Sequence, residues 1–357
     1  MKKIHVIRMI LMILLSWDGL VVDVEAMQQK SARSVRYTTR TAPTQIAQKT
    51  SSHIDNVHDK SKQEHKKSEA TTVLHGLSNV GDSCYFSAVA QCLASLDGVS
   101  YADEKSPEFL TQFDEIISRL RSGRVVGDAL LKSCFGLQCE VTFGGVRGQQ
   151  DAEQCLTGIL VRLPTASKSY FEFGFKSSLM CGRCSRTRVK KDSGQEMSTV
   201  LSLALPMPNG ETTVPLKTLF ELFENPEKLT LDNSFYCDNC RVKTRTTKRL
   251  SFARTRPKCL IVQLKRFYYT QIVPIPIAVK NNIPVSFPPH IALGRDRYNL
   301  KAVLCHTGLL HEGHYTAYVQ KNWQWFHCND SRVTSVSGLT EGFSPYILFL
   351  QSGTVST

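Results

Sequence analysis

Two kinds of hydrophobic spacing divide the chain. Tyr85, Val89, Cys92 and Leu96 recur at helical intervals and predict a helix with a buried stripe, and the stretch Phe109–Leu120 repeats the pattern. From about residue 251 onward the period shortens. Val, Ile, Leu and Phe alternate through short runs that predict strands, the last of them Tyr346–Leu350. Ahead of both lies a segment with neither period. Residues 27–72 are rich in Ser, Thr, Gln, Lys and Arg, with hardly any large apolar residue beyond Ile46 and Ile54. Such a segment cannot bury enough surface to fold and is expected to be a disordered, solvated, basic leader.

Residues 1–26 differ again. Lys2, Lys3 and Arg8 precede an uncharged run from Met9 to Trp17, and Val24-Glu25-Ala26 offers a small-residue cleavage site. That is the layout of a secretory signal peptide, with an uncleaved anchor or a misplaced start codon as competing readings. Asp18 stops the apolar run short of the roughly 20 residues that cross a bilayer, so no stable membrane anchor is expected.

Composition narrows the class. The chain has 357 residues, 41% of them hydrophobic and 21% charged, ordinary values for one large soluble domain with appendages or for two domains. The net charge is +13, and residues 1–72, with twelve Lys or Arg against seven Asp or Glu, account for +5 of it. A basic domain attracts anions, but the cations do not gather into one arginine-rich block with interleaved aromatics. The nearest thing to a patch, Arg241 to Arg249, alternates like the exposed face of a strand, so no nucleic acid partner is expected.

Twelve cysteines change the picture more. Cys181-x-x-Cys184 and Cys237-x-x-Cys240 form two knuckles with polar or turn residues between the thiols, the spacing that supplies four thiolates to a tetrahedral zinc. A pair of disulfides, or unpaired thiols, are the alternatives. Cys92, Cys155, Cys259 and Cys305 sit in apolar runs and read as core. Cys84 does not. The run Gly76-Leu77-Ser78-Asn79-Val80-Gly81-Asp82-Ser83-Cys84-Tyr85 brings a turn directly up to the start of a helix, with Asp82 or Ser83 as candidate caps. A thiol at a helix N-terminus ionises more easily. Far downstream, Gly313-His314-Tyr315 offers a histidine on a strand that could take its proton.

In these residues the chain resembles the ubiquitin-specific protease family of deubiquitinases. The cysteine box is followed by Gln149-Gln150-Asp151-Ala152, by both knuckles, by Pro257–Phe267 ending in Leu264-Lys265-Arg266-Phe267, and by the histidine box. That box runs Tyr298-Asn299-Leu300, His306-Thr307-Gly308, Gly313-His314-Tyr315, then Trp325 and Asn329-Asp330-Ser331-Arg332-Val333, and the chain closes on Pro345–Phe349. The resemblance covers residues 73–352. It implies an α+β, papain-like cysteine peptidase with a helical thumb (about 84–165), zinc-tipped fingers (about 170–250) and an antiparallel palm (about 251–352).

Carried over position by position, it implies Cys84 as nucleophile, His314 as general base and Asn329 as the residue orienting the imidazole, with Asp330 the rival for that place. Asn79 would help stabilise the oxyanion. Asp151, Gln150, Gly313 and Tyr315 would meet the ubiquitin tail, the last two narrowing its channel to glycine. His306 reads as structural. Asp82 stands where the family has Asn and would add a negative charge near the thiol. Glu153-Gln154-Cys155 departs from the family's acid-bearing pattern. The implied activity is thiol-dependent hydrolysis at the C-terminal glycine of ubiquitin by a monomer carrying structural zinc (Zn2+). A protease for a ubiquitin-like modifier and a catalytically silent ubiquitin-binding module are the alternatives. A signal peptide before such a domain is reconciled by secretion into a host cell, where ubiquitin is present.

Overall fold

The computed structural model describes residues 74–189, 196–207, 213–229, 234–252, 256–271, 276–293, 296–309, 312–339 and 344–353. The signal-peptide and leader readings fall outside these. Among the described residues no helix is long and apolar enough to cross a membrane.

The helical part is built around α1 (Cys84–Ala94), whose residues from Cys84 to Leu93 are all buried. It packs between α2 (Glu108–Arg121), α4 (Ala152–Leu160) and the strand Gly313–Lys321, while α3 (Asp128–Phe143) lies against α2 and α4. The expected stripe of α2 is present: Phe109, Leu110, Phe113, Ile116, Ile117 and Leu120 are buried at spacings of three and four. Each such side chain contributes about 1.5–3 kcal/mol by leaving water. Short α5 (Thr165–Lys168) leads out of this region.

The main sheet runs in the order Arg332–Val336, Gln324–Asn329, Gly313–Lys321, Asp296–Gly308, Pro345–Ser352, Cys259–Lys265, Val200–Ala204, with His290–Leu293 on the side of Asp296–Gly308. Its pairings are antiparallel except that between Cys259–Lys265 and Val200–Ala204. Alternation decides its two faces. Cys259, Ile261, Ile347 and Phe349 join the core with the helices. Leu260, Val262, Leu348 and Leu350 join a second core covered by α6 (Leu216–Glu224) through Leu216, Leu219 and Phe220.

A second sheet, Thr187–Val189, Phe173–Cys181, Thr246–Phe252 and Glu227–Leu229, with Glu196–Ser198 beside Phe173–Cys181, forms the fingers. The span expected to be fingers throughout is interrupted. Val200–Ala204 and α6 belong to the palm, because their leucines complete its second core.

Candidate active site

The turn before α1 is held by positive backbone angles at Gly81 (φ 109°) and Asp82 (φ 50°). Neither expected cap forms. Ser83 Oγ is taken by the Val80 N–H at 2.9 Å, and Asp82 is exposed in the left-handed region. The first turn of α1 therefore keeps its N–H groups for the thiol end, where they favour negative charge.

Cys84 is buried, and desolvation pushes its thiol pKa above the ordinary value, with Asp330 and Asp82 adding to the rise. The backbone N–H groups of Tyr315 and Tyr85 work the other way, favouring thiolate. The Tyr315 contact matters most for placement, since it sets the thiol beside the peptide that follows His314. Among the described residues, thiol and imidazole make no hydrogen bond in this state.

His314 Nε2 lies 2.8 Å from Asn329 Oδ1. An amide oxygen only accepts, so the bond fixes the proton on Nε2 and leaves Nδ1 with its lone pair. Asp330 is elsewhere. It sits at φ 47° with its Oδ2 accepting from Asn79 Nδ2 at 3.0 Å, while Oδ1 is buried without a partner. Of the two rivals, Asn329 is the one on the imidazole. Asn79 in turn spends its Oδ1 on the Gly81 and Ser83 N–H groups, both at 3.2 Å, so it braces the turn as well as facing Asp330.

The two halves of the site are clamped together at Gly76. A Cβ there would lie 2.4 Å from the Asp330 carbonyl oxygen and 2.4 Å from the Ser331 carbonyl carbon, and Leu77 N–H donates to the same Asp330 oxygen at 2.9 Å. Backbone cannot yield as a flexible side chain does. Gly76→Ala is therefore expected to cost about 1–3 kcal/mol, a fall of roughly 2–12 °C in Tm, and to lower activity by displacing the Asn329–Asp330 turn from Cys84. A thermal melt and a turnover assay on the same sample check both.

Around this core the tail-binding candidates take unequal places. Asp151 caps α4, accepting from Glu153 N–H at 2.7 Å, and also accepts from the Tyr346 hydroxyl at 2.9 Å. Burial raises its pKa, and that of neighbouring Glu153. Glu153 thus stands with Asp151, whereas Gln154 is exposed. Gly313 N–H is held by Gln149 Oε1 at 3.0 Å, not by Gln150, whose side chain makes no hydrogen bond among the described residues. Tyr315 is only 6% exposed, so its backbone rather than its ring faces the thiol. His306 is buried against the rings of Phe267 and Tyr315, and burial holds its pKa down to about 4, keeping it neutral. A Cβ on Gly313 would fall 1.9 Å from its Nε2, which is why that position is glycine. Gln149 and Tyr346 lie in motifs of the sequence, but their roles here could not be read from it, because their partners are distant in the chain.

The knuckle cysteines converge. The Sγ atoms of Cys181, Cys184, Cys237 and Cys240 all lie within 4.8 Å of one another, with Cys181–Cys240 at 3.9 Å and Cys184–Cys237 at 3.7 Å. No pair among the four is bonded in this structure, since the sulfurs of a disulfide sit about 2.05 Å apart. The separations match the edge of a tetrahedron with metal–sulfur bonds of about 2.3 Å, roughly 3.8 Å. Both knuckles turn alike, with Ser185 (φ 56°) and Arg241 (φ 54°) donating back to the carbonyls of Cys181 and Cys237.

The family model for ubiquitin carboxyl-terminal hydrolases matches residues 75–350. The chain belongs to that family. Ubiquitin carboxyl-terminal hydrolase 21 of Homo sapiens is 35% identical over 190 residues, covering 49% of this chain and 32% of that protein. Probable ubiquitin carboxyl-terminal hydrolase 4 of Schizosaccharomyces pombe is 32% identical over 185 residues, covering 48% and 30%. Ubiquitin carboxyl-terminal hydrolase 4 of Saccharomyces cerevisiae (strain YJM789) is 29% identical over 203 residues, covering 50% and 21%. The chain thus spans about a fifth to a third of these relatives' length. In three dimensions it is similar to a chain of the SAGA DUB module Ubp8/Sgf11/Sus1/Sgf73 bound to monoubiquitin, with a TM-score of 0.62 at 23% identity, covering 79% of this chain and 69% of that one. That likeness is one of fold, and it bears out the α+β peptidase architecture.

The raised Cys84 pKa carries a sign for the family's chemistry here. A group whose pKa is raised stays protonated until the pH passes that value, so the resting thiol is neutral near pH 7. Alkylation of Cys84 by iodoacetamide is expected to keep accelerating through about pH 9, whereas a plateau between about pH 6 and 8 would reveal a preformed thiolate–imidazolium pair.

Proposed function

We propose that the chain is a thiol-dependent deubiquitinase that cleaves the amide or isopeptide bond after the C-terminal glycine of ubiquitin. The observation that carries this reading is the His314–Asn329 hydrogen bond of 2.8 Å on the strand whose Tyr315 N–H reaches the Cys84 thiol. Cys84 Sγ attacks the glycine carbonyl while Nδ1 of His314 takes the thiol proton. The oxyanion meets the open N–H groups at the start of α1 and the second hydrogen of the Asn79 amide, a type of donor worth about 3–4 kcal/mol in comparable sites. His314 then protonates the leaving amine, and water, activated by the same imidazole, releases ubiquitin from the thioester. Asn329 keeps the imidazole in the required tautomer throughout. Asp151 and Glu153 supply negative charge for the substrate tail, and Gly313 and Gln150 line its approach.

Ubiquitin as partner is supported by family membership and by solved relatives in fold bound to monoubiquitin and to ubiquitin aldehyde. The four converging thiols are proposed to hold a structural zinc ion, which would tie the two knuckles into one unit. The signal-like layout of residues 1–26 supports export to a ubiquitin-containing host cell as the route to substrate. Detecting a mature chain, begun after Ala26, in host cytosol tests that route.

Hydrolysis of a fluorogenic ubiquitin C-terminal amide tests the activity, run beside the same amide of ubiquitin-like modifiers. Faster turnover of the ubiquitin amide supports the reading. Preference for another modifier moves the substrate, and no turnover of any of them contradicts the enzyme.

A further inference from the structure

The two knuckles bring together more than thiols. Arg183 lies within the first pair of cysteines and Arg186 and Arg188 follow it, and Arg241, Lys243 and Arg245 follow the second. About 50 residues apart in the chain, the two sets share one end of the fingers. The four Sγ atoms lie within 4.8 Å of one another, and Gly182 N–H donates to the Arg245 carbonyl at 2.7 Å. Arg188 reaches across to Asp238 Oδ2 at 2.9 Å and lies over the Phe235 ring. All six cations are exposed. Asp238 is the one acid within residues 181–188 and 235–245. Apart from Arg188, none of the six has an ion pair among the described residues.

Five cations without an ion pair among the described residues raise the local positive potential at this end of the fingers. Five of the six are arginine, whose planar fork matches phosphate oxygens two at a time. Beside them Tyr236 is 50% exposed and stands directly across the strand pair from Lys243, an aromatic face next to a cation. A stacking ring beside clustered cations suits single-stranded nucleic acid, in which every base offers a π-face and every nucleotide a phosphate. An acidic protein segment would use the arginines but has no need of the ring. We propose that the four-cysteine end of the fingers is a binding site for single-stranded nucleic acid, held through its phosphates and one stacked base. The expectation of no nucleic acid partner rested on cations scattered along the chain, with Arg241–Arg249 the nearest patch; that segment does fall on strands, Val242–Thr244 and Thr246–Phe252. The sequence keeps its other half out of view.

The test is anisotropy of fluorescein-labelled single-stranded DNA and RNA 20-mers titrated with the full chain at several salt concentrations. Because residues 1–72 bring a charge of their own, the readout is the difference from a variant. Arg183→Ser/Arg241→Ser/Arg245→Ser is expected to bind at least about tenfold more weakly at low salt, with a salt slope shallower by about 2 units for three lost phosphate contacts. Tyr236→Ser is expected to lose roughly tenfold at an unchanged slope. The triple lysine variant, which keeps the charge, must retain most of the binding, and unchanged melting temperatures show that the tip is intact. A triple serine variant that binds as tightly as wild type overturns the proposal. Displacement of the oligonucleotide by polyglutamate at equal charge concentration, with no effect of Tyr236→Ser, also overturns it, in favour of an acidic protein partner.

Discussion

Cys84→Ala is expected to lower kcat/KM for a ubiquitin C-terminal amide by at least about ten-thousand-fold, or about 5.5 kcal/mol of transition-state stabilisation, while ubiquitin binding persists. Among the described residues, Cys84 is the thiol set beside the peptide that follows His314. It sits at the start of α1, with the Tyr85 and Tyr315 N–H groups directed to it. Removing Sγ leaves the buried helix otherwise filled by the same small apolar residue type, so the fold and the substrate surface are retained. His314→Ala should cost nearly as much, and the double variant little more than either, because nucleophile and base act as one unit. Asn329→Ala removes the acceptor that fixes the Nε2 proton, 2.8 Å away, and is expected to be less severe, since His314 keeps its place on the strand. The check is steady-state kinetics alongside ubiquitin affinity by calorimetry. Loss of binding together with turnover would mean that Cys84 is structural.

The second large effect concerns the fingers. Metal affinity at a four-thiolate site reaches about 10–16 kcal/mol in zinc-finger peptides, free energy that becomes folding free energy. Cys181 closes the long strand Phe173–Cys181, and Cys237 and Cys240 flank a tight turn between two three-residue strands, too short to hold alone. Cys237→Ser is therefore expected to abolish stoichiometric zinc, lower Tm by 10 °C or more, and open residues 235–245 to protease. The palm should hold better, since Val200–Ala204 and α6 are fixed by its own second core. Zinc content by mass spectrometry, a melt and limited proteolysis read the three effects. An unchanged melt in a metal-free protein would show that the thiols need no ion.

What the sequence made legible follows from how local each signal is. The cysteine box could be read because turn, thiol and helix are contiguous. The knuckles could be read because each carries its own spacing, and α2 because its stripe repeats. Relations between distant segments were not legible. Gln149 holding Gly313, Tyr346 holding Asp151, and Gly76 pressed on the Asp330–Ser331 backbone all depend on which strands become neighbours. The choice between Asn329 and Asp330 was open for the same reason. One residue of register puts Asn329 on the imidazole and turns Asp330, at φ 47°, toward Asn79. The expected caps failed more subtly. Asp82 and Ser83 have the right chemistry, but positive φ at Asp82 and the Val80 bond to Ser83 commit both to the turn. Val200–Ala204 escaped the palm assignment because a parallel edge partner leaves no mark in the intervening chain.

The central claim is that Cys84 forms a covalent bond at the C-terminal carbon of ubiquitin. Ubiquitin carrying a C-terminal vinyl electrophile, incubated with the protein and followed by intact mass and peptide mapping, tests it most directly. The account expects a gain of one ubiquitin per chain, mapped to Cys84, absent in Cys84→Ala and slowed in His314→Ala. A folded, zinc-loaded protein that gains no mass, or is modified at another cysteine, would contradict it.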